Sequence, residues 1–137
     1  MDGIHKLKLI LSQHEPPPCA ALTPFEIIEV NFETGFVKLK FEKQPAFRNH
    51  FGNIQGGFAV AMIDVLISIS TFVKTGLWLP TVEIKSSFIA PARIGDCVGE
   101  GRIIRAGKNL VFSEAVLRGS DNQTVVHATA TILVREV

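Results

Sequence analysis

The sequence predicts an α+β domain in which an antiparallel β-sheet wraps around one central buried α-helix. Three observations carry this. The stretch from Gly56 to Thr75, GGFAVAMIDVLISISTFVKT, is too long for a strand and rich in Ala, Leu, Ile and Phe. Its apolar residues cover nearly the whole helical circumference, which calls for burial on most sides. Strand-like segments flank it, two before and four after, and an antiparallel sheet following a buried helix is expected to curl around it.

Each element has its own signal. Asp2 to Gln13 sets Ile4, Leu7, Ile10 and Leu11 on one face of a short amphipathic helix, and Pro16-Pro17-Pro18 ends it and starts an extended linker. Residues 1–18 thus precede a core at 24–137, the whole forming a single domain. Pro24 to Phe32 reads as a strand, Glu33-Thr34-Gly35 as a turn. Phe36 to Lys43 alternates strictly, with Val37, Leu39 and Phe41 on one face and Lys38, Lys40 and Glu42 on the other. The two strands make a hairpin, and Pro45 to Phe51 is the loop into the helix. Beyond it, Thr81 to Ile89, Cys97 to Arg105, Leu110 to Arg118 and Thr124 to Arg135 read as a four-strand meander with turns between. Gly99 and Gly101 in the second of these suggest a bend.

Composition narrows the function. A net charge of +1 lacks the basic excess of a nucleic-acid binder. The 47% apolar content implies a large core or surface buried in an oligomer. His5, Lys6 and Lys8 near the start are followed by no sustained apolar run, so no secretory signal is expected. The apolar part of the long helix is shorter than the ~20 residues of a membrane span and carries Asp64 at its centre, so no membrane contact is expected. Cys19 and Cys97 have no metal-ligand spacing and read as unpaired thiols in a reducing cytoplasm; no metal is expected.

Asp64 is the exception inside the apolar stretch. An ionisable group there is costly without a partner or a task. Asp64, Ser68 and Thr71 recur at i, i+4 and i+7, one polar stripe of the helix, whose first member can act as a base. Gly56 and Gly57 fall in the first turn, where backbone N–H groups lack intrahelical partners and the helix dipole is positive. Two such groups can hold a carbonyl oxygen as it gains charge. Asp64 lies roughly 12 Å further along the axis at 1.5 Å per residue. That is too far for both to serve one carbonyl carbon from the same helix, unless the substrate lies along it or a second subunit supplies one of them.

The series Asn49-x-x-Gly52-x-x-Gln55-Gly56-Gly57 followed by Asp64 resembles the signature of hotdog-fold acyl-CoA thioesterases. The similar group is the phenylacetic-acid-pathway (PaaI-like) type, which includes thioesterase superfamily member 2 and the 4-hydroxybenzoyl-CoA thioesterases. Ser87 to Asp96, SFIAPARIGD, is similar to the family's Pro-Ala-basic-x-Gly-Asp turn, and Gly107-Lys108-Asn109-Leu110 to its Gly-Lys-x-Leu hairpin. The resemblance runs from about Pro24 to the C-terminus and implies the hotdog fold.

It also implies roles. Asp64 matches the catalytic acid, which either activates water or attacks the thioester itself. Gly56 and Gly57 match the glycines whose N–H polarises the carbonyl, Gly56 being the better match. Asn49 matches an amide that positions water or thioester, Thr81 a hydroxyl that holds the water, and Ser68 a hydroxyl partner of the acid. Gln55 stands where the family usually has His, and glutamine donates a hydrogen bond but does not titrate. Arg93, Lys108 and Arg105 are candidates for the phosphates of coenzyme A, as is Arg102, and each also reads as a solvated strand-end charge. Trp78 and Leu79 either line an acyl pocket or simply pack. The implied activity is hydrolysis of an acyl-CoA thioester to free CoA and a carboxylic acid, in a cytoplasmic homo-oligomer, a dimer or tetramer, with the acid from one subunit and the glycine N–H from the other. Coenzyme A enters only as part of substrate and product, and no other cofactor is needed. The alternative is an acyl-CoA-binding hotdog protein whose catalysis lapsed with Gln55. A hotdog dehydratase would want a catalytic His in the helix motif, and a purely structural dimer would not need a polar stripe.

Overall fold

The computed structural model describes residues 2–135. The first helix, α1 (Gly3–Ser12), is capped by the Asp2 side chain, which accepts from the His5 N–H at 2.8 Å. Where an extended linker was expected, a short 3₁₀ turn forms at Pro18–Leu22, started by the φ that proline fixes. Strands β1 (Phe25–Val30) and β2 (Val37–Phe41) form the expected hairpin. The helix α2 (Gly56–Thr75) follows, then β3 (Thr81–Phe88), β4 (Cys97–Ala106), β5 (Leu110–Arg118) and β6 (Thr124–Leu133).

The six strands make one antiparallel sheet in the order β1-β2-β4-β5-β6-β3. This corrects the four-strand meander. Only β4-β5-β6 run on by hairpins; β3 crosses to the far side of β6, pairing Thr81 with Ile132 and Phe88 with Val126. The reason is that β2 takes the other edge of β4, so β3 closes the sheet at the opposite end. The sheet wraps α2, which packs mainly on β4 and β5 with β2, β3 and β6 flanking it. This is the hotdog arrangement, and the alternation in β2 sets Val37, Leu39 and Phe41 against the core.

The α2 stretch is less enclosed than its composition suggested. Met62, Ile63, Leu66, Ile67, Ile69, Ser70, Thr71 and Val73 are buried, but Ala61, Asp64, Val65, Ser68 and Phe72 form a half-buried stripe on the side of the helix away from the Leu66–Ser70 seat on β4. Thr71 is not on it: its hydroxyl is buried without a partner. The helix has 20 residues and is, by length and composition alone, able to cross a membrane. Half of that apolar window is buried inside the fold, which accounts for its character without a bilayer.

Two glycines seat this helix. A Cβ at Gly99 would lie 2.4 Å from a Leu66 methyl, and one at Gly101 would lie 2.7 Å from the Leu66 carbonyl oxygen. Their absence of side chain lets the helix backbone rest directly on β4, which is a different use from the bend expected of them. The bulge in β4 comes later, between Ile103 and Arg105. Because the clash at Gly101 is with backbone, no rotamer relieves it. Gly101→Ala is expected to lower unfolding free energy by about 1–3 kcal/mol, measured by denaturant titration.

Candidate functional site

The loop into α2 is built by Asn49. Its Oδ1 accepts from the Phe51 N–H at 2.9 Å and the Asn53 N–H at 3.1 Å, and its carbonyl accepts from the Gly52 N–H at 3.1 Å. Gly52 takes a φ of 86°, which a side-chain-bearing residue rarely adopts. The Asn49-x-x-Gly52 spacing is therefore a turn with its own internal bracing. Because Oδ1 is engaged twice, the Asn49 amide keeps its NH₂ as the free group. The segment after β3 closes on this loop: the Ile54 N–H donates to the Ala92 carbonyl at 2.7 Å, and Asn53 bridges Arg93.

Gln55 is the N-cap of α2. Its carbonyl accepts from the Phe58 N–H at 3.0 Å and its side-chain Oε1 from the same N–H at 3.3 Å. The Gly56 and Gly57 N–H groups precede the first hydrogen-bonded turn and have no acceptor within the helix. Asn49 and Gly56 both line a cleft of about 380 Å³, whose other walls include Ile54, Ala59, Phe88, Ile89 and Val126. The cleft is apolar, with amide and backbone donors at one end.

Asp64 does not line that cleft. It sits on the half-buried stripe of α2, and its Oδ1 accepts from the Thr81 hydroxyl at 3.1 Å. The expected partner Ser68 lies on the same stripe, but no hydrogen bond joins it to Asp64; the acid's partner comes from the start of β3. One chain thus holds two half-sites: donors with a cleft at the start of α2, and a hydroxyl-braced acid two turns on.

The three cations do not come together. Arg93 adjoins Ala92 beside the cleft, whereas Arg105 and Lys108 belong to the β4–β5 hairpin. The register puts that hairpin at the Thr81 end of the sheet, since Val111 pairs with Ile132 and Ile132 with Thr81. Trp78 stacks on Phe72 with ring centroids 4.2 Å apart, beside the acid's stripe. Cys97 is buried, and that burial, then the neighbouring Asp96 carboxylate, pushes its thiol up to about 11, so it is no nucleophile. No group of residues suited to a metal ion occurs among the described residues. Sequence reasoning gave Phe88 no role of its own; it is 59% exposed and leans on Gly56. The signal available was its place, at the end of a strand just before Pro91.

The thioesterase superfamily model matches residues 51–126, more than half of the 137 residues. No curated protein matches the chain in sequence. Among solved structures it is similar to a phenylacetic acid degradation-related protein from Ralstonia eutropha JMP134, with a TM-score of 0.84 and 28% identity over 93% of this chain and 98% of that one. It is similar to the E. coli PaaI protein of the phenylacetic acid degradation operon, with a TM-score of 0.84 and 16% identity over 98% and 97%. It is also similar to a Streptococcus mutans UA159 protein bound to acetyl-CoA, with a TM-score of 0.74 and 20% identity over 81% and 88%. The last two likenesses are of fold.

The bracing role of Asn49 can be separated from its free NH₂. Asn49→Ala removes an acceptor from two N–H groups and is expected to cost about 1–3 kcal/mol of stability. Asn49→Asp keeps the acceptor, replaces the donor with a carboxylate oxygen and adds a charge; its melting curve is expected to stay closer to wild type than that of Asn49→Ala.

Proposed function

The chain belongs to the thioesterase superfamily, and from that premise we propose that it is an acyl-CoA thioesterase whose site is completed between two copies. The observation that carries this is the pairing of a cleft bearing free helix N–H donors with a hydroxyl-braced acid on the same helix. The substrate class is supported by the resemblance of the helix motif and by the acetyl-CoA held by a protein of the same fold.

The edge of the sheet offers a way to join the half-sites. β3 pairs only with β6, and its other edge carries backbone groups without partners among the described residues. Such an edge is a template for a second strand. Antiparallel pairing of β3 with β3 of a second copy, about Ile84 and Lys85, sets Thr81 of one copy opposite Phe88 of the other. Thr81 holds Asp64 and Phe88 lies on Gly56, so each acid meets the other copy's donors. The same contact covers the half-buried stripe of α2.

In this site the thioester carbonyl oxygen rests on the Gly56 and Gly57 N–H groups. Asp64 takes a proton from water, and the oxygen so activated adds to the carbonyl carbon. The negative charge that develops on the carbonyl oxygen is held by those N–H donors. The C–S bond then breaks, the sulfur takes up the proton held by Asp64 and leaves as the thiol of coenzyme A, and the acyl group leaves as a carboxylic acid. Thr81 occupies Oδ1 of Asp64 and leaves Oδ2 for the water. Gln55 fits as an amide donor to the carbonyl. Arg93, beside the cleft, is the cation we assign to the phosphates from the copy that supplies the donors.

A second reading rests on Gln55. Its oxygen is taken by the Phe58 N–H and it does not titrate, so any step that needs a protonatable group there is closed. The protein would then bind acyl-CoA without turnover.

Release of free thiol from short, medium, long and aryl acyl-CoAs by the purified protein tests the choice. Turnover is expected, with Asp64→Asn lowering kcat at least about 10²-fold and leaving KM little changed. Absence of turnover, with acyl-CoA still raising the melting temperature, would establish the binding reading instead.

A further inference from the structure

Phe88 is the last residue of β3 and faces an unusual neighbour. A Cβ placed on Gly56 would lie 3.2 Å from two atoms of its ring, tighter than ordinary contact. The ring therefore rests on the α-carbon of Gly56 itself, next to the N–H groups that head the helix. It is held there from one side only, being 59% exposed. Phe88 and its neighbour Ile89 line the cleft together with Ile54, Ala59 and Val126. Asn49 and Gly56 line the same cleft.

We propose that Phe88 is a specificity-determining residue: its ring forms the wall against which the acyl group lies when the thioester carbonyl reaches the Gly56 donors, and its bulk limits the length of chain accepted. The inference rests on the thioesterase reading for its ligand. It adds a residue outside the acid, donor and amide set and assigns it a selecting role. A chain passing Gly56 must run along or displace this ring. Shrinking the ring opens the cleft along Ile89 and Val126, and enlarging it closes that path. Discrimination between chains differing by methylene groups in such a cleft is set by how much apolar surface each buries.

The test uses ethyl, hexyl and dodecyl thioethers of coenzyme A, which bind without hydrolysis, and calorimetric Kd values for wild type, Phe88→Ala and Phe88→Trp. Phe88→Ala is expected to shift the ratio of dodecyl to ethyl affinity at least about tenfold toward the long chain, and Phe88→Trp to shift it the other way. Ratios unchanged in both variants would overturn the proposal. So would a uniform change in all three affinities, as a merely structural role predicts, or failure of wild type to bind any thioether. The thiol-release assay is read separately. If wild type hydrolyses nothing and the ratios still move, the hydrolase reading falls and the selecting role of Phe88 stands.

Discussion

A helix cannot fold back on itself, and this stiffness governs how the protein works. The donors at Gly56 and Gly57 and the carboxylate of Asp64 share one continuous α-helix, roughly 12 Å apart along its axis. The bond that braces Asp64 comes from Thr81 at the start of β3, and the ring that rests on Gly56 comes from Phe88 at its end. The helix and the edge strand are therefore in contact at both half-sites. On the reading proposed above, a second β3 alongside brings the halves together; within one chain they stay about two helical turns apart.

The helix is held rigid enough for this by β4. Gly99 and Gly101 let the Leu66 turn sit against the strand backbone, and the buried row Ile63, Leu66, Ile67 and Ser70 fills the concave side of the sheet. The Ser70 hydroxyl donates to the Gly35 carbonyl at 2.6 Å, tying the helix to the β1–β2 turn as well. That seat uses one side of α2. The opposite side keeps Asp64 and Ser68 among Ala61, Val65 and Phe72, a stripe whose polar members would be wasted in a core and whose apolar members would be wasted in water.

Much of this was legible in the residues. Period-2 alternation found β2, the long apolar run found α2, and the glycine pair placed free N–H groups at its start. The distance from Gly56 to Asp64 is a matter of counting along a helix, so the separation of donors and acid could be read before any coordinates. The order of strands could not, because pairing of β3 with β6 rather than β4 depends on which edges remain open once β2 is in place. The partner of Asp64 was chosen between Ser68 and Thr81 only by the path of β3. Asn49 was read as an amide that positions water or thioester; the structure gives its oxygen to the turn and leaves its nitrogen free. The role of Gly99 and Gly101 was missed for a related reason: a close backbone approach and a bend leave the same mark in a sequence.

The most direct test of a divided site is complementation. Gly56 is the first residue of the helix, and Gln55 before it has φ −62° and ψ 136°, a conformation that a following proline accepts. Gly56→Pro therefore removes that N–H while keeping the helix start, and its added ring atoms press on Phe88, which already lies 3.2 Å from a Cβ at this position, a change confined to the donor half-site. Asp64→Asn removes the acid. Each variant alone should be inactive. Mixed in equal amounts under conditions of subunit exchange, they should recover about a quarter of the wild-type rate, since half the dimers are mixed and one of their two sites is intact. A mixture as inactive as its components, with exchange verified, would mean that each site lies within one chain and would contradict the account.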